Sequence, residues 1–213
     1  MDNVVELNGV VAVLGGFPAL AGADLSVGRG EVLLLQGPNG AGKTSLLRVC
    51  AGLLPIERGS GRVLGMDITS ERERVRSRVG LLGHTNGLYL DLTVAQNVRF
   101  WASTVGATDA EVAGAMSRMR LDGRLAGVKA EKLSAGQRRR TALASLIVRR
   151  AELWLLDEPH AGLDTAGRDE IDAVLRDAVA SGATVIVSSH EHERARALAT
   201  RIVTVDGGTV IAQ

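Results

Sequence analysis

The sequence predicts an α/β fold, a mostly parallel sheet with helices on both faces, joined to an antiparallel β-subdomain and an inserted α-helical lobe. Three observations carry this. The apolar run Val32–Leu35 leads into a glycine-rich turn and then a helical stretch ending at Gly52. Strand and helix patterns alternate again from Glu152 onward, the arrangement of a parallel sheet. Between these, from about His84 to Val148, the apolar spacing is helical. A chain of 213 residues is long enough for one domain with such an insertion and for a substantial core.

Taken in order, residues 4–36 read as short strands with tight turns: Val4–Leu7, Ala23–Val27 and Glu31–Gln36, with Gly28-Arg29-Gly30 as a hairpin turn. Pro55–Gly61 reads as a turn region and Arg62–Leu64 as a short strand. Ser70–Arg78 interleaves arginines with glutamates, which predicts an exposed helix edge with i,i+4 ion pairs and not a nucleic-acid patch. Thr93 and Gln96 have capping-box spacing and open a helix through Trp101. Thr108 or Asp109 caps a helix through Met119, and Ser134 starts a third. The return to alternation gives strand Leu153–Leu156, helix Thr165–Ala180, strand Thr184–Val187 and helix Glu193–Ala199. A last hairpin joins Arg201–Val205 to Thr209–Ala212 across Gly207-Gly208. No internal repeat or low-complexity linker interrupts the chain, so 1–213 is expected to be one unit, with core 1–83 and 149–213 and helical lobe about 84–148.

Composition excludes several classes. The formal net charge is +1, which gives no general attraction to nucleic acid or anionic lipid. The five aromatics (Phe17, Tyr89, Phe100, Trp101, Trp154) are too few for a single-strand stacking platform. Cys50 is alone, on the apolar side of the helix after the glycine turn, and reads as a buried core thiol. No leader pattern or apolar run of bilayer length occurs, so a soluble, cytosolic chain is expected.

The chemistry concentrates in Gly37-Pro38-Asn39-Gly40-Ala41-Gly42-Lys43-Thr44-Ser45. Strand, glycine-rich turn and helix closing on Lys-Thr form a P-loop. Its N–H groups would make an anion nest at a helix N-terminus. Lys43 would reach the β- and γ-phosphates of a nucleoside triphosphate, and Thr44 would ligand Mg²⁺. The apolar run 153–156 ends in Asp157-Glu158. Beside a P-loop such an aspartate holds Mg²⁺, commonly through water, and the next carboxylate can take a proton from an attacking water.

With these residues in place the chain resembles the ATP-binding subunit of the ABC transporter family. Leu133-Ser134-Ala135-Gly136-Gln137 is similar to the family signature, with Ala135 where glycine is usual. Ala161-Gly162-Leu163-Asp164 resembles the D-loop, and His190 matches the switch histidine. The resemblance implies an ATP- and Mg²⁺-dependent ATPase, working as a head-to-tail homodimer with two ATPs sandwiched between subunits. It implies that Ser134, Gly136 and Gln137 face the partner's γ-phosphate, that Glu158 polarises water, and that His190 contacts the γ-phosphate. Asp164 would couple the two sites.

Two positions depart from the family pattern. His84 stands at the Q-loop position, where a glutamine is expected, and imidazole suits hard Mg²⁺ less well than an amide oxygen. No aromatic lies at Val13 or Leu14 to stack on adenine; Phe17 is the nearest candidate. Leu82-Gly83-His84, followed by Gly87-Leu88-Tyr89, Leu92-Thr93, Asn97 and Phe100, resembles the ATPases of haem exporters in cytochrome c maturation, with Gln96 in place of their glutamate. The short chain without a C-terminal extension is similar too. That resemblance implies a peripheral subunit on the cytoplasmic face of a bacterial inner membrane. It would bind integral-membrane permease subunits, with residues 84–99 lining the docking groove. The alternatives are another exporter ATPase (drug, lipid or polysaccharide), a soluble non-transport ABC ATPase, or a degenerate cassette acting as a binding module. The tandem cassettes and long inserts usual in soluble ABC proteins are not visible, and Lys43, Asp157, Glu158 and His190 argue against degeneracy.

Overall fold

A computed structural model describes residues 2–212. Two sheets carry the molecule. The first is antiparallel, in the order β2 (Phe17–Gly28), β1 (Asn3–Leu14), β4 (Arg58–Val63), β5 (Met66–Asp67). The second has β10 (Thr209–Ala212) and β9 (Arg201–Asp206) at one edge, then β3 (Val32–Gln36), β8 (Thr184–Ser188), β7 (Leu153–Asp157) and β6 (Val79–Leu82). It is parallel throughout except for β10, which returns antiparallel to β9. Every residue of β3, β7 and β8 is buried, which requires cover on both faces.

That cover divides by side-chain alternation. Leu33, Leu35, Leu153 and Leu155 pack with α1 (Lys43–Cys50) and the antiparallel sheet in one apolar cluster. Leu34, Trp154 and Leu156 face the other way. They join α3 (Val94–Ser103), α4 (Asp109–Arg118), α5 (Ala135–Val148) and α6 (Thr165–Ala180) in a second cluster. The parallel strands therefore separate two cores, and their C-terminal ends meet at one rim.

Several sequence expectations hold in detail. Capping boxes close at Thr93–Gln96 and Ser134–Gln137, and Thr108, not Asp109, caps α4. Others are corrected. The first two strands are twelve residues each, joined by a hairpin at Gly15-Gly16, and the Gly28–Gly30 turn carries the chain from one sheet to the other. Exposed apolar residues beside the hairpin, Val13, Leu14 and Phe17, break the apolar-in, polar-out alternation and conceal this length. Strand β4 already begins at Arg58, inside the expected turn, held by register with Val11 and Asn8 of β1. Val79–Leu82 forms an edge strand that was not expected as one. The charged helix α2 (Arg72–Arg78) closes its ion pairs at i,i+3, Glu71–Arg74 and Glu73–Arg76, not i,i+4. The last helix, α7 (His192–Leu198), begins one residue earlier than expected.

Candidate functional site

The rim where β3, β7 and β8 end positions the P-loop, the acidic pair and His190 together. Gly37 follows β3 at φ 139°, and a Cβ there would lie 2.0 Å from the Val205 carbonyl. Gly42 caps α1 in a left-handed conformation, and its Cβ would come within 2.7 Å of the Ala19 carbonyl. Only glycine fits both positions. Between them the loop curls over the Lys43 ammonium, which donates to the carbonyls of Gly37 and Pro38 at 2.7 and 2.9 Å.

From the other side of the cleft, Thr44 Oγ1 donates to Asp157 Oδ2 at 2.7 Å and Ser188 Oγ to Asp157 Oδ1 at 2.5 Å. A hydroxyl and a carboxylate this close are hard oxygen donors of the kind Mg²⁺ takes, with water completing its octahedron. Glu158 adopts φ 52°, a conformation costing roughly 1–2 kcal/mol for a residue with a Cβ. Its N–H bonds to the Ser188 carbonyl, and its Oε2 accepts from the His190 N–H at 3.1 Å. The His190 ring stands 3.6 Å from Oε1, and that buried oxygen takes no hydrogen bond among the described residues. An unsatisfied buried acceptor is costly for stability and points to a functional demand.

A cleft of about 590 Å³ runs over these groups, lined by the loop from Asn39 to Ser45, by His84, Asp157, Glu158 and His190, and by Phe17 with Pro18 and Ala19. Phe17, 77% exposed at the hairpin end, thus reaches the same cleft as the phosphate loop. The second set of expected residues lies apart. Ser134, Gly136, Gln137 and Asp164 line a separate hollow of about 470 Å³ with Arg140. There Ser134 Oγ accepts from the Gln137 N–H while Gln137 Oε1 accepts from the Ser134 N–H. The cap uses a lone pair of the serine oxygen and leaves its O–H to donate outward, at the positive end of the α5 dipole. Asp164 caps α6 by accepting from the Gly167 N–H at 2.9 Å, a structural task the sequence reading did not assign.

The residues fall into two groups. One holds a lysine, hard oxygen donors and a carboxylate; the other offers a helix N-terminus and a hydroxyl. Residues 20–161 match the ABC transporter family. The chain belongs to that family. As an ABC transporter ATPase subunit it binds and hydrolyses ATP in the service of transport. It is 41% identical to the cytochrome c biogenesis ATP-binding export protein CcmA of Paramagnetospirillum magneticum, over 89% of this chain and 88% of that one. It is 39% identical to the daunorubicin resistance ATP-binding protein DrrA3 of Streptomyces coeruleorubidus, over 100% of this chain and 68% of that one. In fold it matches the structure of an ATP-binding subunit of an ABC transporter with TM-score 0.89 and 24% identity, over 97% of this chain and 88% of that one. The dimeric structure of a bacterial ABC transporter cassette gives 0.88 and 25%, over 97% and 96%.

The sequence did not assign a structural role to two buried polar groups of this ABC transporter cassette, the His160–Asp172 pair and Arg139. His160 is buried with Nε2 2.8 Å from Asp172 Oδ1, and Asp172 also bonds Arg194 of α7. Arg139 is 3% exposed and bonds the loops after β6 and β7. A signal for Arg139 did exist: Arg139, Ala142, Leu143 and Leu146 recur at i, i+3, i+4 and i+7, which places the arginine on the apolar stripe of its helix.

Proposed function

We propose that this ABC transporter ATPase powers the haem export complex of c-type cytochrome biogenesis. It would sit as a peripheral subunit on the cytoplasmic face of a bacterial inner membrane, bound to integral-membrane permease subunits. The observation that carries this reading is Leu82-Gly83-His84, which ends β6 and sets His84 in the lining of the nucleotide cleft. The likeness to the CcmA protein supports it. Among the described residues no helix is long and apolar enough to cross a membrane, which fits a subunit held by membrane partners.

In this reading ATP lies in the cleft with its phosphates on the loop 37–45, and Phe17 packs on the adenine. Thr44 and Asp157 hold Mg²⁺, which neutralises phosphate charge when bound. Glu158 takes the proton of the attacking water, and His190 orients the γ-phosphate and the carboxylate. Ser134, Gly136 and Gln137 meet the γ-phosphate held by a second, head-to-tail copy, which explains why the two groups are separate within one chain. Asp164, in the same hollow as those three residues, couples the two sites across the dimer. The helical lobe, about 84–148, shifts against the core (1–83 and 149–213) as ATP closes the dimer. Tyr89 and Leu90, both exposed, face the permease.

A second reading, ATPase of a drug exporter, is favoured by the likeness to DrrA3, which spans the whole of this chain and 68% of that one. A haem stain of denatured membrane proteins tests the two. Cells lacking the gene are complemented with wild type or Lys43→Ala. The haem reading expects covalent c-type haem to be lost and restored by wild type alone. Unchanged c-type haem, with drug sensitivity that only wild type reverses, supports the second reading.

A further inference from the structure

Arg139 carries a buried guanidinium whose hydrogen-bond acceptors are all uncharged oxygens. Its Nη2 donates to the main-chain carbonyls of Asp157 and Glu158, each at 2.5 Å, and Nε donates to that of Pro159 at 3.2 Å. Nη1 donates to the Gly83 carbonyl at 2.7 Å and to Asn86 Oδ1 at 3.1 Å. Burial lowers its pKa to about 10, against the opposing pull of Asp157 and Glu158. A buried cation is costly, so the five bonds must secure something the apolar stripe of α5 cannot.

What they secure is a junction. Strands β6 and β7 are parallel neighbours, so the loops leaving them emerge side by side. One carries His84, the other Glu158 in its left-handed turn. A β-hairpin or helix would hold such loops by its own ladder; here the main-chain carbonyls of both converge on a single planar fork of donors. The fork stands on α5, five residues from the capping serine Ser134. A shift of α5 is therefore a shift of the fork, and both loops feel it.

We propose that Arg139 is a positioning residue for hydrolysis: it holds the strained turn at Glu158 and locks the His84 loop to it, tying both to the signature helix. The proposal rests on Glu158 acting as the carboxylate that takes the water's proton. Arg139 touches no reacting atom, so it acts on the rate of the chemical step and leaves nucleotide binding alone.

The test uses purified full-length protein, with kcat, KM and direct ATP binding measured for Arg139→Gln, Arg139→Lys, Asn86→Ala and Glu158→Gln. Arg139→Gln is expected to lower kcat by about tenfold or more while KM and ATP affinity stay within about twofold. Arg139→Lys keeps the charge but loses the planar fork, and an intermediate kcat is expected. Asn86→Ala removes one exposed-side acceptor, with a loss of about threefold. Free guanidinium at tens of millimolar should raise the kcat of Arg139→Gln, a rescue that a general loss of folding would not give. If Arg139→Gln does not fold, Arg139→Lys and Asn86→Ala decide. Wild-type kcat in the folded Arg139 variants and in Asn86→Ala, with Glu158→Gln inactive, overturns the proposal alone. Wild-type turnover in Glu158→Gln overturns the reading on which it rests.

Discussion

Thr44 and Asp157, 113 residues apart, share a 2.7 Å hydrogen bond at the point where the phosphate loop meets the end of β7. The bond links the start of α1 to the central parallel sheet and fixes the two oxygens relative to each other. Preorganised donors need no rearrangement when a charged group binds. Thr44→Val keeps the shape and removes the hydroxyl. A buried carboxylate oxygen then loses its donor, at about 1–3 kcal/mol. ATP binding measured calorimetrically should weaken by about tenfold in Mg²⁺ and by much less in chelator, since the phosphate nest remains intact. Equal weakening with and without Mg²⁺ would show that Thr44 serves the loop and not a metal.

Glu158 has one carboxylate oxygen held by the His190 N–H and the other buried, 3.6 Å from the His190 ring and without a hydrogen bond among the described residues. Glutamine keeps the size and the first contact but cannot accept a proton. Glu158→Gln is expected to bind ATP, hydrolyse it at least about a hundredfold more slowly, and accumulate as a dimer on gel filtration with ATP. A variant that stays monomeric under saturating ATP would count against the sandwiched dimer.

His84 lines the cleft, yet imidazole is a poor donor for Mg²⁺. His84→Gln supplies an amide oxygen in its place. The isolated subunit should hydrolyse ATP at least as fast as wild type and reach half-maximal rate at lower Mg²⁺. Complementation of c-type haem should fail if the histidine serves the permease. Complete loss of hydrolysis would instead place His84 in the chemistry.

Local signals made the site legible before the fold was known. Gly37, Gly42 and Lys43 announce a phosphate loop because few other backbones need glycine twice before Lys-Thr, and the structure shows both glycines under steric demand. Ser134 and Gln137 announced a helix start, and they close a capping box. What stayed hidden depended on pairing across long separations. The length of β1 and β2 is set by their mutual register, and exposed apolar residues near their hairpin, Val13, Leu14 and Phe17, break the alternation that marks a strand. Val79–Leu82 is a strand because β7 lies beside it. Asp164 as a cap could have been read from its place before Thr165, but its position in the D-loop drew attention to the dimer. Arg139 stands in the run Arg138-Arg139-Arg140, and the convergence of two loops distant in sequence supplies the acceptors that let this one of the three be buried.

Cys50 ends α1 fully buried, and burial pushes its thiol up to about 12. The thiolate is the reactive form, so the native protein should resist alkylation at mild alkaline pH and react at once in denaturant. The same displacement sets a pH dependence. An unfolded cysteine releases its proton at its ordinary value, near 9.0, while the native one keeps it. Above that ordinary value the unfolded state therefore binds fewer protons, and stability falls as pH rises toward the native value. Below it the cysteine contributes no pH dependence. Urea midpoints at about pH 8, 9.5 and 11 should decline in wild type more steeply than in Cys50→Ala, which starts lower because of the cavity it leaves. Parallel declines would mean that the thiol ionises as freely in the native protein as in the unfolded chain.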